Sequence, residues 1–173
     1  MMKKVMFISS TGGHFNELMK LEPLFKNYKV TVVTESSSNK KKLKNEYKKY
    51  NIHFLLKKSK YRVVSLFNLF INCFISLFYF IKYRPKYIVT TGAHTAGPMC
   101  CIGKIFRSKI IFIETMANIN TPTKTGRIIY KFADLFIVQW EEMLKVYPNA
   151  VYGGWIIWFW LHLELKTNSL LDY

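Results

Sequence analysis

The sequence predicts a doubly wound α/β domain built on a parallel sheet, and three observations lead there. Short runs of β-branched and aromatic residues without polar alternation, such as Val5-Met6-Phe7-Ile8 and Ile110-Ile111-Phe112-Ile113, have the composition of strands buried on both faces. Segments with apolar residues at helical spacing separate them, giving a strand-helix alternation. Glycine turns follow two of the runs, at Gly12-Gly13 and Gly92, where such sheets place their ligand sites. With 173 residues, 50% of them hydrophobic, the chain can bury one sizeable core. We assign that domain to residues 1–155 and an aromatic tail, containing Trp158-Phe159-Trp160, to 156–173.

The elements follow in order. A strand over 5–8 precedes a helix over 15–25, with Phe15, Leu18, Met19 and Leu21 on one face and a stop near Pro23. A strand at 30–33, a very basic helix at 39–50 and a strand at 52–56 come next. A long apolar helix covers 63–81, a strand 87–89, and a helix 96–106 lies behind Gly97-Pro98. After the strand at 110–113 come a polar loop, a helix at 126–133 and a strand at 135–138. No internal repeat is present.

Charge is uneven. Residues 1–86 hold 18 Lys+Arg against 4 Asp+Glu, and residues 87–173 hold 8 against 6. A basic half of this kind seeks phosphates, on nucleic acid, an anionic membrane or a diphosphate-bearing substrate. No zinc spacing, helix-turn-helix signature or aromatic RNA-binding motif accompanies the lysines, so nucleic acid is not the expected partner. Cys73 and the adjacent Cys100-Cys101 have neither metal nor disulfide spacing and are expected to be reduced, buried and inert. The start, Met-Met-Lys-Lys, runs straight into a strand and has no signal-peptide h-region, which predicts the cytoplasmic side.

The turn Thr11-Gly12-Gly13-His14 joins a strand to a helix. Two glycines permit a sharp reversal with exposed N–H groups, and the helix start adds positive potential, a combination suited to phosphate. An imidazole behind such a turn can donate to an oxyanion or accept a proton. Equally, the turn can be a plain one with a capping His. The loop Thr90-Thr91-Gly92-Ala93-His94-Thr95 repeats this chemistry, and the two turns on one sheet edge could hold a diphosphate between them. A structural bond from His94 closing its loop is the alternative. Glu114, after the strand at 110–113, is a candidate general base, sugar ligand, N-cap or lysine partner. Glu35 stands where dinucleotide folds keep a ribose-binding acid, but Gly12-Gly13 lacks their G-x-G-x-x-G spacing.

The stretch 63–81 sits at the lower length limit for a bilayer span. Ser65, Asn68, Asn72, Ser76 and Tyr79 draw a narrow polar stripe along it, while Phe67, Phe70, Phe74 and Phe78 populate a broad apolar face. Arg62 flanks one end, and Lys82 and Arg84 the other. This pattern fits a monotopic helix in an anionic interface, with a buried crossover helix as the alternative. A spanning helix would separate strands of one sheet. Lysines at 40–44, 48–49 and 57–60 are expected to form a basic collar beside it.

Several blocks in order carry a resemblance: Thr11-Gly12-Gly13-His14-Phe15-Asn16-Glu17-Leu18, Thr91-Gly92-Ala93-His94-Thr95-Ala96-Gly97-Pro98, Ile113-Glu114-Thr115-Met116-Ala117, Asp134 to Glu141, and Tyr147 to Gly154. Together they resemble the bacterial capsule and exopolysaccharide relatives of the Alg14 family, over about residues 3–156. The resemblance implies the N-terminal, acceptor-binding half of a split GT-B glycosyltransferase, Rossmann-like and similar to the N-terminal domain of MurG. It implies a membrane-bound subunit that anchors or enhances a separate catalytic partner carrying the UDP-sugar site. The acceptor would be a lipid-linked diphosphate sugar, and no cofactor or metal is implied. By the MurG-like pattern His14 is the base and Glu114 assists, with Thr11, Gly12, Gly13, Gly92, His94 and Thr95 on the substrate. Arg62, Phe67, Phe70, Phe74, Phe78, Lys82 and Arg84 would meet the membrane. Members commonly stop soon after the Tyr-Gly-Gly-Trp segment, whereas this chain continues into its aromatic tail, expected at the partner or the membrane.

Overall fold

The computed structural model describes residues 2–38 and 40–156. Strands β1 (Lys4–Ser9), β2 (Lys29–Glu35), β3 (Asn51–Leu55), β4 (Tyr87–Gly92), β5 (Lys109–Ile113), β6 (Leu135–Val138) and β7 (Val151–Tyr152) form one sheet in the order β3-β2-β1-β4-β5-β6-β7. Every pairing is parallel. The doubly wound expectation is thus met. The short β7 and the 3-10 turn Glu141–Lys145 were not legible as elements.

Alternate residues of each strand feed two cores. Val5, Phe7, Val32 and Ile113 pack with Phe15 and Leu18 of α1 (Gly13–Met19) and Phe25 of the 3-10 turn Glu22–Asn27. Met6, Ile8, Ile88 and Phe112 pack with Phe80 of α3 (Arg62–Tyr83), Met99 of α4 (Ala96–Ile105) and Ile129 of α5 (Lys124–Ile129). Each large side chain so buried contributes about 1.5–3 kcal/mol. Pro23 accounts for the early end of α1, since the chain tightens to 3-10 geometry instead of continuing.

The strand order explains where the helices lie. From β1 to β3 the chain moves one way across the sheet, and from β3 it returns past β1 to β4. Right-handed crossovers then place α1 and α2 (Lys40–Glu46) on one face and α3 and α4 on the other. The α2 lysines therefore belong to the face opposite α3, with Lys40 lying 4.8 Å over the Phe54 ring. Of the anticipated collar, the 57–60 loop borders α3, tied to it by the Asn68 amide donating to the Lys57 carbonyl, and of the α2 lysines Lys44 acts on His53, which packs on Tyr79 and Tyr83 of α3.

Helix α3 is inverted relative to an ordinary surface helix. Its polar stripe faces inward: Ser65, Asn72 and Ser76 are buried, and Phe80 joins them near the end. The Asn72 side chain closes on Leu56 from both sides, accepting its N–H at 2.8 Å and donating to its carbonyl at 2.9 Å. The apolar face points out, with Val63, Phe67, Phe70, Phe74, Phe78 and Ile81 between 53% and 78% exposed. Arg62, Lys82 and Arg84 are exposed at its ends. The helix is long and apolar enough to cross a bilayer, but it connects two parallel strands of the same sheet.

Burial of all three cysteines is not observed. Cys100 is buried, which pushes its thiol pKa far up, whereas Cys73 and Cys101 are exposed. Cys73 lies on the outward side of α3, which the sequence alone does not orient. Of the tail proposed for 156–173, Ile156 is buried in the α1-side core and its N–H donates to Gln139 Oε1 at 3.1 Å. The rest of the tail lies outside the described residues.

Candidate functional site

The carboxyl ends of β1 and β4 are neighbours at the point where the strand order reverses, the place where open α/β sheets leave a crevice. Both glycine turns meet there. Gly12 has φ 84 and Gly92 φ 91, conformations that a side chain resists. Gly12 and Gly13 are exposed, and nothing lies within 4 Å of where a Cβ would sit on either. At Gly92 a Cβ would meet the His14 ring at 3.7 Å.

His14 and Thr91 hold each other. The Thr91 hydroxyl donates to the His14 carbonyl at 2.7 Å, and His14 Nδ1 lies 2.8 Å from the Thr91 carbonyl. A carbonyl only accepts, so Nδ1 carries the hydrogen. In the neutral ring that leaves the lone pair on Nε2, the atom free for a ligand. The two turns are also joined through Glu35. Its buried carboxylate accepts from Thr95 at 3.0 Å and from Thr11 at 3.5 Å, which is a bracing role and not ribose binding. His94 is half-buried, with an Nδ1 that has no hydrogen-bond partner among the described residues. Burial and nearby Lys58 hold its imidazole below the ordinary range, with Glu35 pulling the other way.

Glu114 is placed differently. It is 1% exposed, and its carboxylate accepts from the Thr115 N–H at 3.1 Å, the Thr123 hydroxyl at 3.1 Å and the Tyr147 hydroxyl at 3.1 Å. Gly126 closes over it so tightly that a Cβ there would overlap Glu114 Oε2. Burial and the Glu114 carboxylate push the Tyr147 phenol far up, keeping it a donor. The structure therefore brings Thr11, Gly12, Gly13, His14, Gly92, His94 and Thr95 to one end of the sheet, with Gly12 and Gly13 exposed but Gly92 and Thr95, expected on the substrate, buried, and with Glu114 sealed behind the β5–α5 loop.

Glu17 connects the two regions, and no role was legible for it in the sequence. It accepts from the Thr115 hydroxyl at 2.9 Å and the Met116 N–H at 3.1 Å, while its buried Oε2 has no hydrogen-bond partner among the described residues. Burial raises its pKa, against the lowering effect of those two donors. The available signal was an acid set among Phe15, Leu18 and Met19, the inward positions of α1. Among the described residues no cluster of three or more His, Cys, Asp or Glu could hold a metal.

Comparison with known proteins fits this geometry. A family model described as "Oligosaccharide biosynthesis protein Alg14 like" matches residues 5–156. The UDP-N-acetylglucosamine transferase subunit ALG14 of Mus musculus is 25% identical over 180 residues, covering 89% of this chain and 83% of the relative. That of Kluyveromyces lactis is 44% identical over 50 residues, 29% of this chain and 21% of the relative. Acinetobacter baumannii MurG superposes with TM-score 0.66 at 15% identity, covering 81% of this chain and 42% of MurG. UDP-N-acetylglucosamine 2-epimerase from Rickettsia bellii superposes with TM-score 0.70 at 15% identity, covering 100% of this chain and 50% of the epimerase. At such identity the two share the fold, and the chain spans about half their length. Matched by its model from one end of the sheet to the other, the chain belongs to the Alg14-like family of oligosaccharide biosynthesis proteins.

Proposed function

We propose that this chain is the membrane-associated subunit of a two-chain UDP-sugar-dependent glycosyltransferase. It presents a lipid-diphosphate-linked sugar acceptor to a partner chain that binds the nucleotide sugar. The observation that carries this reading is the pairing of an outward apolar helix, α3, with an open glycine-and-histidine crevice on the same domain. The names of the curated relatives support a subunit role and make UDP-N-acetylglucosamine the first donor to try. Lipid-linked precursors of a capsule or exopolysaccharide on the cytoplasmic face of the membrane are the proposed setting.

The chemistry assigned to the crevice is modest. Backbone N–H groups at Gly12-Gly13 and the Gly92 loop receive the acceptor diphosphate. His14 Nε2 takes the proton of the acceptor hydroxyl as its oxygen bonds to the anomeric carbon, and the nucleoside diphosphate leaves with the electron pair. His94 and Thr95 position the second turn. Glu114 acts indirectly, by fixing Thr115 and hence Glu17 behind His14.

The test is sugar transfer from a panel of UDP-sugars to lipid-diphosphate acceptor, in membranes carrying this chain, its candidate partner, or both. Activity only with both chains is the expected result. Full activity from this chain alone would overturn the split-enzyme reading.

A further inference from the structure

The amino-terminal edge of the sheet, away from the glycine turns, carries a second cluster. Where α3 passes into β4, and again where α4 passes into β5, the chain reverses through a left-handed residue. These are Arg84 at φ 44 and Arg107 at φ 62, and among the described non-glycine residues only these two have positive φ. Glycine takes this conformation without steric penalty and is the usual occupant of such helix ends. An arginine at both equivalent turns breaks the local preference twice, with no folding gain in the backbone to account for it. Outliers of this kind point to a use for the side chain.

Both arginines line one cavity of about 440 Å³, together with Lys86 and an apolar wall of Phe80, Ile81 and Phe106. The Phe80 and Phe106 rings stack at 5.1 Å, Phe80 buried and Phe106 56% exposed. No carboxylate lines the cavity, and none of its three cations forms an ion pair among the described residues. Asp134, an acid near this edge, is held by Lys104 at 3.1 Å and Lys109 at 3.2 Å. The cavity opens at the end of the outward stripe of α3, so an apolar track through Phe78 and Ile81 leads directly to three cations without a counter-charge. Cations near helix C-termini interact favourably with the dipole, but a lysine or arginine anywhere in the last turn does the same.

We infer that Arg84, Lys86 and Arg107 form a pocket for the phosphate of an anionic glycerophospholipid, its acyl chains lying along Phe106, Ile81 and Phe78. The guanidinium fork matches a phosphodiester, and the apolar wall matches the glyceride below it. The inference rests on the reading of α3 as a membrane face, and it adds lipid selectivity to that reading.

The experiment is sedimentation of the full chain with phosphatidylcholine vesicles, with and without phosphatidylglycerol. Three double variants are compared with the parent: Arg84→Gly/Arg107→Gly, Phe70→Ser/Phe74→Ser, and Lys41→Ala/Lys42→Ala. Glycine suits both turns, so the arginine variant is expected to unfold at or above the parent's temperature. It should bind phosphatidylglycerol vesicles about 30-fold more weakly, with binding to phosphatidylcholine unchanged. The lysine variant, which removes equal charge from the other sheet face, should retain the phosphatidylglycerol preference. If it loses as much as the arginine variant, or if the arginine variant keeps the preference, the pocket is overturned while the membrane face stands. If the phenylalanine variant binds both vesicles like the parent, the membrane reading itself fails. Glycerol phosphate at matched ionic strength should displace little protein; full displacement would replace the bilayer lipid with a soluble phosphate ligand.

Discussion

Helices α3 and α4 cover the same face of one sheet and pack against each other, yet they are built with opposite polarity. Helix α4 buries Ala96, Met99, Cys100 and Gly103, and exposes Cys101, Lys104 and Ile105. Its Gly103 lies so close to the sheet that a Cβ would overlap Ile88 Cδ1. Helix α3 buries Ser65, Asn72 and Ser76 and exposes phenylalanines. Apolar burial holds α4, while hydrogen bonds to the loop after β3 hold the first half of α3, with Phe80 serving its second half. Neighbours on one scaffold share the same sheet, so the difference reflects what lies outside. The outer face of α4 mixes Lys104 with Cys101 and Ile105, whereas that of α3 is a continuous apolar stripe from Val63 to Ile81, as a membrane-resting helix would require.

The comparison breaks first where burial is deepest. Met99→Ala should cost about 2–5 kcal/mol by transfer and cavity formation, read as a lower urea midpoint. Next, Asn72→Leu leaves the Leu56 N–H and carbonyl without their partner and should cost about 1–3 kcal/mol. A stabilised Asn72→Leu chain would show that α3 is held by apolar contact after all. Phe70→Ser with Phe74→Ser should change the stability read from urea unfolding by no more than about 0.5 kcal/mol per site. Destabilisation on the Met99→Ala scale would mean that the outer face of α3 is covered within the chain.

The smallest effect is a pH dependence at the seam of α3 with β3. His53 Nε2 lies 2.6 Å from the Tyr83 hydroxyl, and burial, then Lys82 and Lys44, hold its imidazole below the ordinary range. The unfolded chain therefore binds more protons than the folded one between the lowered pKa and about 6.5. Stability should be full above that range and fall as pH drops through it, with His94 contributing in the same direction. Thermal midpoints between about pH 7.5 and 5.5, compared with those of a His53→Gln chain, check the sign; a flat parent profile would refute it.

The fold was legible because strands buried on both faces and helices at regular period are local signals. Residues 5–8 and 110–113 could be little else, whereas the helix expected over 15–25 ends at Met19, and Pro23 lies inside the 3-10 turn that follows. The two glycine turns were also legible, since Gly12 and Gly92 need their backbone freedom locally. What stayed hidden depends on contacts distant in sequence. The polar stripe at Ser65, Asn72 and Ser76 was visible, but its inward direction is set by the Leu56 backbone that Asn72 clasps. Glu114 stayed open between general base, sugar ligand, N-cap and lysine partner because Thr123 and Tyr147, which saturate it, come 9 and 33 residues later. Glu17 and Glu35 were bracing residues for the same reason, their partners coming from other loops.

As the connection between two parallel strands, α3 runs back along the sheet, its Arg62 end toward the glycine turns and its Tyr83 end toward the opposite edge, roughly 33 Å away. With α3 laid on a bilayer as proposed, the strands would run level with its surface, and the carboxyl ends of β1 and β4, where His14 sits, would face sideways along it. A lipid-linked saccharide would then enter by lateral diffusion without being drawn out of the membrane. The low height of the crevice would act as a ruler, admitting the sugar nearest the diphosphate and passing over glycans whose growing end stands farther from the surface.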